Sequence, residues 1–217
     1  MIFKPYLRTI LFAAATAVVA CAQTPDNKFS FFITSAGSGD GANLGGLAGA
    51  DQICQKLAKA AGSKKKNWKA YLSQSAVGGK KAINAKDRIG KGPWYNVKGE
   101  LMAKDVADLH SDGNNLKKTT SLTEKGEGVA GRGDTPNQHD ILTGTKVDGT
   151  AYPASDARTC GNWTSNGTEG KAQVGHHDRN GGGEIGPSWN AAHPSRGCSQ
   201  ANLVATGGSG RFYCFAK

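Results

Sequence analysis

The cysteines place the strongest constraint on how this chain can fold. The sequence holds five of them in 217 residues, and the first, Cys21, ends an apolar N-terminal segment. The other four stand at positions 54, 160, 198 and 214. In an oxidising compartment four cysteines are expected to form two disulfides, in one of three pairings. Each bond would close a loop of tens of residues or more, which in the chain-entropy model stabilises a fold by about 3–5 kcal/mol.

Covalent stabilisation matters because the chain offers few side chains for a hydrophobic core. Leu, Ile, Val and Phe make up 36 of the 217 residues, and eight of those 36 precede Cys21, whereas glycine contributes 31. So low an aliphatic content indicates disorder only when the net charge is high, and +10 is modest for this length. The composition excludes a collagen-like repeat, a coiled coil and a multi-span membrane protein. It favours one loop-rich domain.

Residues 1–21 have the features of a signal peptide. Lys4 and Arg8 form a basic start, and the run from Ile10 to Ala20 that follows contains no charge. This apolar run is too short for a permanent membrane helix, so a secretory signal explains it better.

Two cleavage sites are compatible with this signal. Val18 to Cys21 resembles the bacterial lipobox, which would make Cys21 the lipidated first residue of the mature chain. Ordinary signal peptidase could instead cleave after Ala22. Either way we predict an exported protein in the periplasm, on the outer membrane as a lipoprotein, or outside the cell. Residues 22–28 would be a tether and residues 29–217 the folded domain.

Hydrophobic periodicity predicts a small number of regular elements in the mature chain. Alternation predicts strands near residues 29–33, 68–72, 172–175 and 208–217, the last with Phe212, Cys214 and Ala216 on one side. Helical spacing predicts helices over residues 47–61 and 104–109. A hairpin is expected between 141–144 and 147–150, and a strand over 159–163. This order indicates an α+β fold.

Five short motifs follow one another along the chain: Gly46–Cys54, Trp68–Ser73, Asp87–Ile89 with Trp94–Asn96, Cys160–Trp163 and Phe212–Cys214. In this order they resemble the secreted bacterial lectin-like proteins related to the endostatin domain of certain collagens, which are variants of the C-type lectin-like fold. The resemblance covers residues 29–216. It implies small antiparallel sheets, two helices, a long loop region and two nested disulfides, Cys54–Cys214 and Cys160–Cys198.

The resemblance also bears on calcium. Sugar-binding C-type lectins hold calcium with a Glu-Pro-Asn or Gln-Pro-Asn tripeptide and with a Trp-Asn-Asp tripeptide. Trp189-Asn190 matches the start of the second, but Ala191 stands where the Asp would be. Pro136-Asn137 precedes Cys160, which is the wrong side of that cysteine. We therefore predict no cofactor, and calcium remains an alternative whose usual ligand motifs are absent or incomplete.

The densest set of potential metal ligands is His176-His177-Asp178, with His193 nearby in the sequence. Adjacent residues of a strand point to opposite faces, so these two histidines are not expected to share an ion. Zinc needs three or four converging ligands, and the usual zinc spacings are absent. The sequence therefore predicts no metal site. One histidine should pack and hydrogen-bond against a tryptophan, and the other should be exposed.

Aromatic and amide side chains concentrate in and around the segment between Cys160 and Cys198. An indole can contact the apolar face of a sugar ring while amides and carboxylates bind its hydroxyls. The candidate ligand-binding residues are Asn162, Trp163, Asn166, His176, His177, Asp178, Trp189 and Asn190. The alternative is that these side chains hold their own loop together.

Nine basic residues between Lys64 and Lys91 concentrate positive charge. They could attract an anionic polysaccharide or form a solvated face, and no motif for specific nucleic-acid recognition accompanies them. Arg132-Gly133-Asp134 is an integrin-type tripeptide, for which a turn held by Asp134 is the simpler interpretation.

The predicted function is therefore a non-catalytic, exported binding domain for a carbohydrate or an anionic surface polysaccharide. It would contact the membrane only through a lipid anchor. One alternative is an adhesin or structural envelope protein that binds a host or matrix protein. Another is a metal-dependent hydrolase that uses His176, His177 and Asp178.

Overall fold

A computed structural model describes Met1 and residues 27–217. The predicted signal peptide beyond Met1, the candidate lipidation at Cys21 and residues 22–26 of the predicted tether lie outside the described residues. Within that described part, no helix is long and apolar enough to cross a membrane. Two disulfides indicate an oxidising, exported location.

The predicted α+β class is confirmed, and most predicted elements occur where periodicity placed them. The described chain has four helices instead of the two expected, and its six-stranded main sheet is mixed instead of antiparallel. In chain order the elements are β1 (Phe31–Ile33), α1 (Gly46–Ala60), β2 (Trp68–Ala70), β3 (Trp94–Tyr95), β4 (Leu101–Ala103), α2 (Val106–Leu109), β5 (Asp140–Leu142), α3 (Cys160–Trp163), β6 (Gln173–His176), β7 (His193–Pro194), α4 (Gln200–Thr206) and β8 (Gly208–Ala216). Helix α4, which the sequence analysis did not predict, begins after Ser199, whose hydroxyl accepts a hydrogen bond from the backbone of Asn202.

The C-terminal strand β8 organises the main sheet. Strands β1 and β2 pair with it antiparallel and β5 pairs with it parallel, after which β6 and β7 extend the sheet in the order β1-β8-β5-β6-β7. Strands β3 and β4 form a separate two-stranded sheet. Three strands that lie far apart in the sequence, β1, β2 and β5, are therefore gathered beside β8.

Alternate side chains of β8 serve two hydrophobic cores, one on each face. Phe212, Cys214 and Ala216 face the core that contains the buried side of α1, as the alternation predicted. Tyr213 and Phe215 face a second core rich in aromatic rings. Because each strand residue serves one face, the five consecutive residues 212–216 of β8 supply side chains to both cores, which offsets the shortage of aliphatic side chains.

The nested disulfide pairing implied by the resemblance is confirmed. Cys54 on α1 is bonded to Cys214 on β8, and Cys160 is bonded to Cys198. The first bond joins the first helix to the last strand, and the second ties the two ends of the segment between residues 160 and 198. All four cysteines lie in the same core as α1.

The strand expected over residues 159–163 is wrong, because this segment is the left-handed turn α3. Cys160, Gly161, Asn162 and Trp163 have φ values of 46°, 62°, 56° and 69°. Non-glycine residues pay about 1–2 kcal/mol each for this conformation. The Cys160–Cys198 bond holds the turn, together with hydrogen bonds from Ser75 N to Asn162 Oδ1 (2.9 Å) and from Trp163 Nε1 to Ser73 O (2.7 Å).

The hairpin expected between residues 141–144 and 147–150 is also wrong. Strand β5 is buried along its whole length and pairs with β6 and β8 instead. In place of the hairpin, residues 145–151 form a short turn with one antiparallel bridge, between Thr145 and Ala151, and a hydrogen bond from Lys146 N to Thr150 O. The reason is that a strand apolar enough to lie inside a sheet needs a partner on each side.

Asp51 of α1 ties that helix to β2, and its removal is expected to destabilise the fold. Its carboxylate accepts hydrogen bonds from Ala70 N (2.9 Å), Lys69 Nζ (2.9 Å) and Arg88 Nη2 (2.7 Å). The Arg88 side chain is only 10% exposed, so Asp51→Ala would leave a half-buried guanidinium without its carboxylate. We expect a loss of about 2 kcal/mol in the free energy of unfolding, measured with urea. The exposed Asp87→Ala is the matched control and should change it by less than about 0.5 kcal/mol.

Candidate metal centre

Three neighbouring strands bring polar side chains together at one end of the sheet. Asp140 begins β5 and lies directly opposite His176, the last residue of β6. His193 begins β7 and pairs with Val174, two residues before His176, so both histidines lie on the same face. His139 immediately precedes β5. The strand register therefore gathers three histidines and one aspartate from three separate parts of the chain.

The Nε2 atoms of these three histidines converge on a single carboxylate oxygen. The distances to Asp140 Oδ1 are 3.1 Å from His139, 3.2 Å from His176 and 3.6 Å from His193. The Nε2 atoms of His176 and His193 are themselves 2.9 Å apart, and the rings of His139 and His176 stack at 4.0 Å. These four side chains are called the His₃Asp cluster below.

The other ring nitrogen of each histidine lies near a group that only accepts hydrogen bonds. Nδ1 of His176 lies 2.6 Å from Gly186 O, and Nδ1 of His193 lies 3.2 Å from Pro194 O. Nδ1 of His139 lies 3.4 Å from Asp178 Oδ1. Such acceptors favour the tautomer with its proton on Nδ1, in which the Nε2 lone pair faces inward. Three lone pairs and one carboxylate oxygen then face one another.

Asp140 is the clearest sign that this cluster is built to hold a cation. Its side chain is 2% exposed, and neither carboxylate oxygen has a hydrogen-bond partner within the described chain. A buried carboxylate without a hydrogen bond is costly unless it is paired with a positive charge or coordinates a metal. The three nearby Nε2 atoms are close to Asp140 Oδ1 but form no hydrogen bond with it.

Asp178 supports the cluster from behind His139. Besides facing His139, its carboxylate accepts hydrogen bonds from Arg132 N (2.6 Å) and Asn180 N (3.1 Å). Burial disfavours the charged form of Asp178, but these hydrogen bonds outweigh it and hold the pKa of the carboxyl below its usual range. Asp178 therefore stays ionised and can orient the His139 ring.

The glycine-rich loop after β6 allows a backbone carbonyl to reach His176. A Cβ atom on Gly181 would collide with Gly186 O and lie 2.8 Å from Nδ1 of His176. The loop can therefore close over the ring only because residue 181 has no side chain. This gives a structural reason for glycine at one position of the glycine-rich stretch at 181–183.

A cavity of about 370 Å³ opens beside the cluster. His139, His176 and His193 form part of its wall, so an ion held by the cluster would be reachable from it. Arg132, Asn137 and Thr206 also line this space, which is called the cluster cavity below.

The prediction that His176 and His177 point to opposite faces is confirmed. His176 joins the cluster, whereas Nε2 of His177 lies 3.2 Å from Ala130 O on the other side of the strand. The expectation that one of them is exposed is wrong, because both are buried. Burial also lowers the pKa of His177, which favours its neutral form.

The two tryptophans expected to contact a sugar are core side chains. Trp163 is buried against α1 and β8, and Trp189 packs against Tyr71 and Tyr213 with ring centroids 4.8 Å and 5.2 Å away. Asn190 is buried as well and donates a hydrogen bond to Tyr71 Oη. Both indoles are therefore mainly core side chains, although Trp189 and Asn190 both line a second cavity of about 260 Å³.

The remaining predicted residues are scattered. Asn162 stabilises the left-handed turn by accepting a hydrogen bond from Ser75 N. Asn166 lies on the surface, where its side-chain amide donates a hydrogen bond to Asp40 Oδ1 at 2.6 Å. In the integrin-type tripeptide, Asp134 accepts a hydrogen bond from Gly131 N and pairs with Lys118, so it holds a turn as expected. Of the eight candidate residues, the structure brings His176 into the cluster and Asp178 into its support.

Sequence reasoning missed His139 and Asp140 altogether. The signal available was a His-Asp pair immediately before the apolar residues Ile141-Leu142, which is an unusual way to begin a buried strand. No protein-family model matches the chain, and no curated protein matches it.

Proposed function

We propose that this chain is an exported metal-binding domain in which His139, Asp140, His176 and His193 hold one zinc ion. The observation that carries the proposal is the convergence of three Nε2 atoms on a buried carboxylate oxygen that has no hydrogen-bond partner. Each histidine also has an acceptor at Nδ1, the outer-shell arrangement typical of metal-bound imidazole.

The donor set and its dimensions favour zinc over calcium or magnesium. Imidazole nitrogen suits zinc, copper, iron and nickel, whereas calcium and magnesium prefer oxygen. Zinc bonds of about 2.0–2.1 Å in tetrahedral geometry put neighbouring ligand atoms about 3.4 Å apart. Four of the six corresponding distances, from Asp140 Oδ1 to each Nε2 and between His176 and His193, run from 2.9 to 3.6 Å. His139, Asp140 and His176 offer atoms that all lie within 4.8 Å of one another, and His193 would complete the set after an adjustment of its side chain.

The wider proposal is a C-type lectin-like domain that recognises a carbohydrate or another surface polymer. The nested disulfides and the sheet centred on the C-terminal strand support that fold. An open cavity beside a metal ion supports a binding role, because it lets the ion contact a ligand. The recognition surface that we propose is therefore the cluster cavity instead of Trp163 and Trp189.

A metal-dependent hydrolase is the second candidate, because the three histidines line an open cavity. Such an enzyme usually needs a general base close to the metal-bound water. Among the described residues that line the cluster cavity there is no Asp or Glu to act as that base. We therefore favour binding over hydrolysis.

Zinc stoichiometry tests the proposal directly. Purified protein dialysed against zinc should retain one equivalent per chain, measured by elemental analysis, and Asp140→Asn or His176→Gln should retain almost none. His177→Gln is the matched control, because it removes the adjacent buried histidine that faces away from the cluster. Zinc retained equally by all four proteins, or by none, would contradict the assignment. Circular dichroism of each variant verifies that it is folded.

A further inference from the structure

We propose that the cluster cavity binds the anionic group of a ligand, with Arg132 and the zinc ion as its two positive partners. This inference rests on the proposed metal site and names the class of ligand that the site takes. The shared chemistry is an anionic oxygen group, whether carboxylate, sulfate ester or phosphate ester, carried on a small or repeating molecule such as an acidic sugar.

Arg132 is the first support for this proposal. Arg132 lines the cluster cavity, and its guanidinium forms no hydrogen bond or ion pair within the described chain, although its backbone N–H is held by Asp178. By contrast, Arg88, Arg158 and Arg211 use their guanidinium groups inside the fold. A guanidinium without a partner, at the mouth of a cavity, can form the paired hydrogen bonds that carboxylate and phosphate oxygens accept.

Asn137 adds a neutral donor on the same wall. Its Oδ1 accepts a hydrogen bond from His139 N at 3.2 Å, which fixes the orientation of the amide. The Nδ2 group forms no hydrogen bond to the part of the chain that the structure describes, and Asn137 lines the cavity. By contrast, the Thr206 hydroxyl already donates to Asn202 O at 2.6 Å and accepts from Arg196 N at 3.1 Å. The unused groups on this wall are therefore donors.

The charges around the cavity also favour an anionic ligand. The carboxylates of Asp140 and Asp178 balance a divalent ion, and Asp134 is paired with Lys118. Once these charges are balanced, the unpaired Arg132 side chain gives the cavity a net positive charge, which an anion would neutralise. At about 370 Å³ the cavity is at the small end of the usual range for ligand pockets, so it suits a head group better than a long segment.

The test uses zinc-loaded protein and four ligands built on one sugar ring: glucuronate, glucose 6-sulfate, glucose 6-phosphate and glucose. Calorimetry in a buffer free of carboxylate and phosphate should detect binding of at least one anionic sugar, about tenfold or more tighter than glucose. The ranking of the three anions identifies the preferred group. The anion would add a fifth ligand to the four protein ligands, so cobalt-substituted protein should show a change in its visible spectrum when that anion is added.

Arg132→Gln and Arg196→Gln form a matched pair that removes the same charge. Arg132→Gln should weaken binding of the anionic sugar about tenfold or more while zinc stoichiometry stays at one. Arg196→Gln, whose side chain lies outside the cavity lining, should change it less than about twofold. Zinc binding without anion binding, or equal affinity in the two variants, would overturn this inference and leave the metal site standing. A chain that retains no zinc overturns both.

Discussion

Zinc is expected to raise the melting temperature of this protein by about 8–16 °C when the free ion is present at about 1,000 times its Kd. A ligand that binds only the folded state at that concentration adds about 4 kcal/mol, and one kcal/mol shifts the melting temperature by about 2–4 °C in a domain of this size. The unfolded chain cannot compete, because the four ligands come from three strands. Circular dichroism melts in zinc and in excess chelator measure the shift.

Variants of the His₃Asp cluster should lower this shift in a fixed order. Asp140→Asn and His176→Gln remove the two most central ligands and should abolish it. His193→Gln should leave part of it, because the His193 side chain is 37% exposed and its Nδ1 contact is longer than that of His176. Loss of an outer-shell partner typically weakens metal binding about 10–100-fold, so Asp178→Asn should reduce the shift without removing it.

The adjacent histidine provides the control for this series. His177→Gln should melt at a lower temperature than the parent, because it disturbs a buried side chain, but should keep the full zinc-dependent shift. A shift that survives in Asp140→Asn would mean that zinc stabilises the protein from another site. A parent protein whose melting temperature is the same in zinc and in chelator would contradict the metal centre.

Local periodicity and the cysteines carried much of the fold prediction. The spacing that predicted a helix over 47–61 reflects the buried face of α1, on which Cys54 lies. The alternation over 208–217 reflects the two cores on either face of β8. Both patterns are visible in the sequence because each is set within one element. The left-handed turn at Cys160 is not visible in the sequence, since it depends on the bond to Cys198 and on contacts with Ser73 and Ser75.

The metal centre could not be predicted in the same way, because no single element contains it. The argument that adjacent histidines face opposite sides was correct for His176 and His177, but it considered one strand alone. The partners of His176 come from β5 and β7, and their register with β6 depends on the whole sheet. The prediction that tryptophans contact a sugar was limited for a related reason. Composition cannot distinguish an exposed aromatic plate from a core ring such as Trp189.

Removal of the Cys54–Cys214 bond is expected to cause the largest loss of stability of any change to the described fold. The bond spans 160 residues, and in the chain-entropy model a loop of that length is worth about 5 kcal/mol. The net stability of a domain is typically about 5–15 kcal/mol, so the double variant Cys54→Ala/Cys214→Ala should lose a third or more of it. The double variant avoids an unpaired thiol, and urea unfolding measures the loss. A loss below about 1 kcal/mol would show that the bond adds little to the core around α1 and β8.

The Cys160–Cys198 bond separates stability from function, because the segment that it closes contains His176 and His193. It spans 38 residues, so Cys160→Ala/Cys198→Ala should cost about 4 kcal/mol, slightly less than the first pair. Removing it should nevertheless lower the zinc affinity more, since two of the four ligands lie on the segment that this bond closes. The bond holds the Cα atoms of Cys160 and Cys198 5.6 Å apart. Measured at low temperature on folded protein, zinc affinity should fall about tenfold or more in this variant and stay within about threefold in Cys54→Ala/Cys214→Ala. The reverse order would mean that the register of β5, β6 and β7, and with it the metal centre, depends on α1 and β8 more than on the loop that carries the ligands.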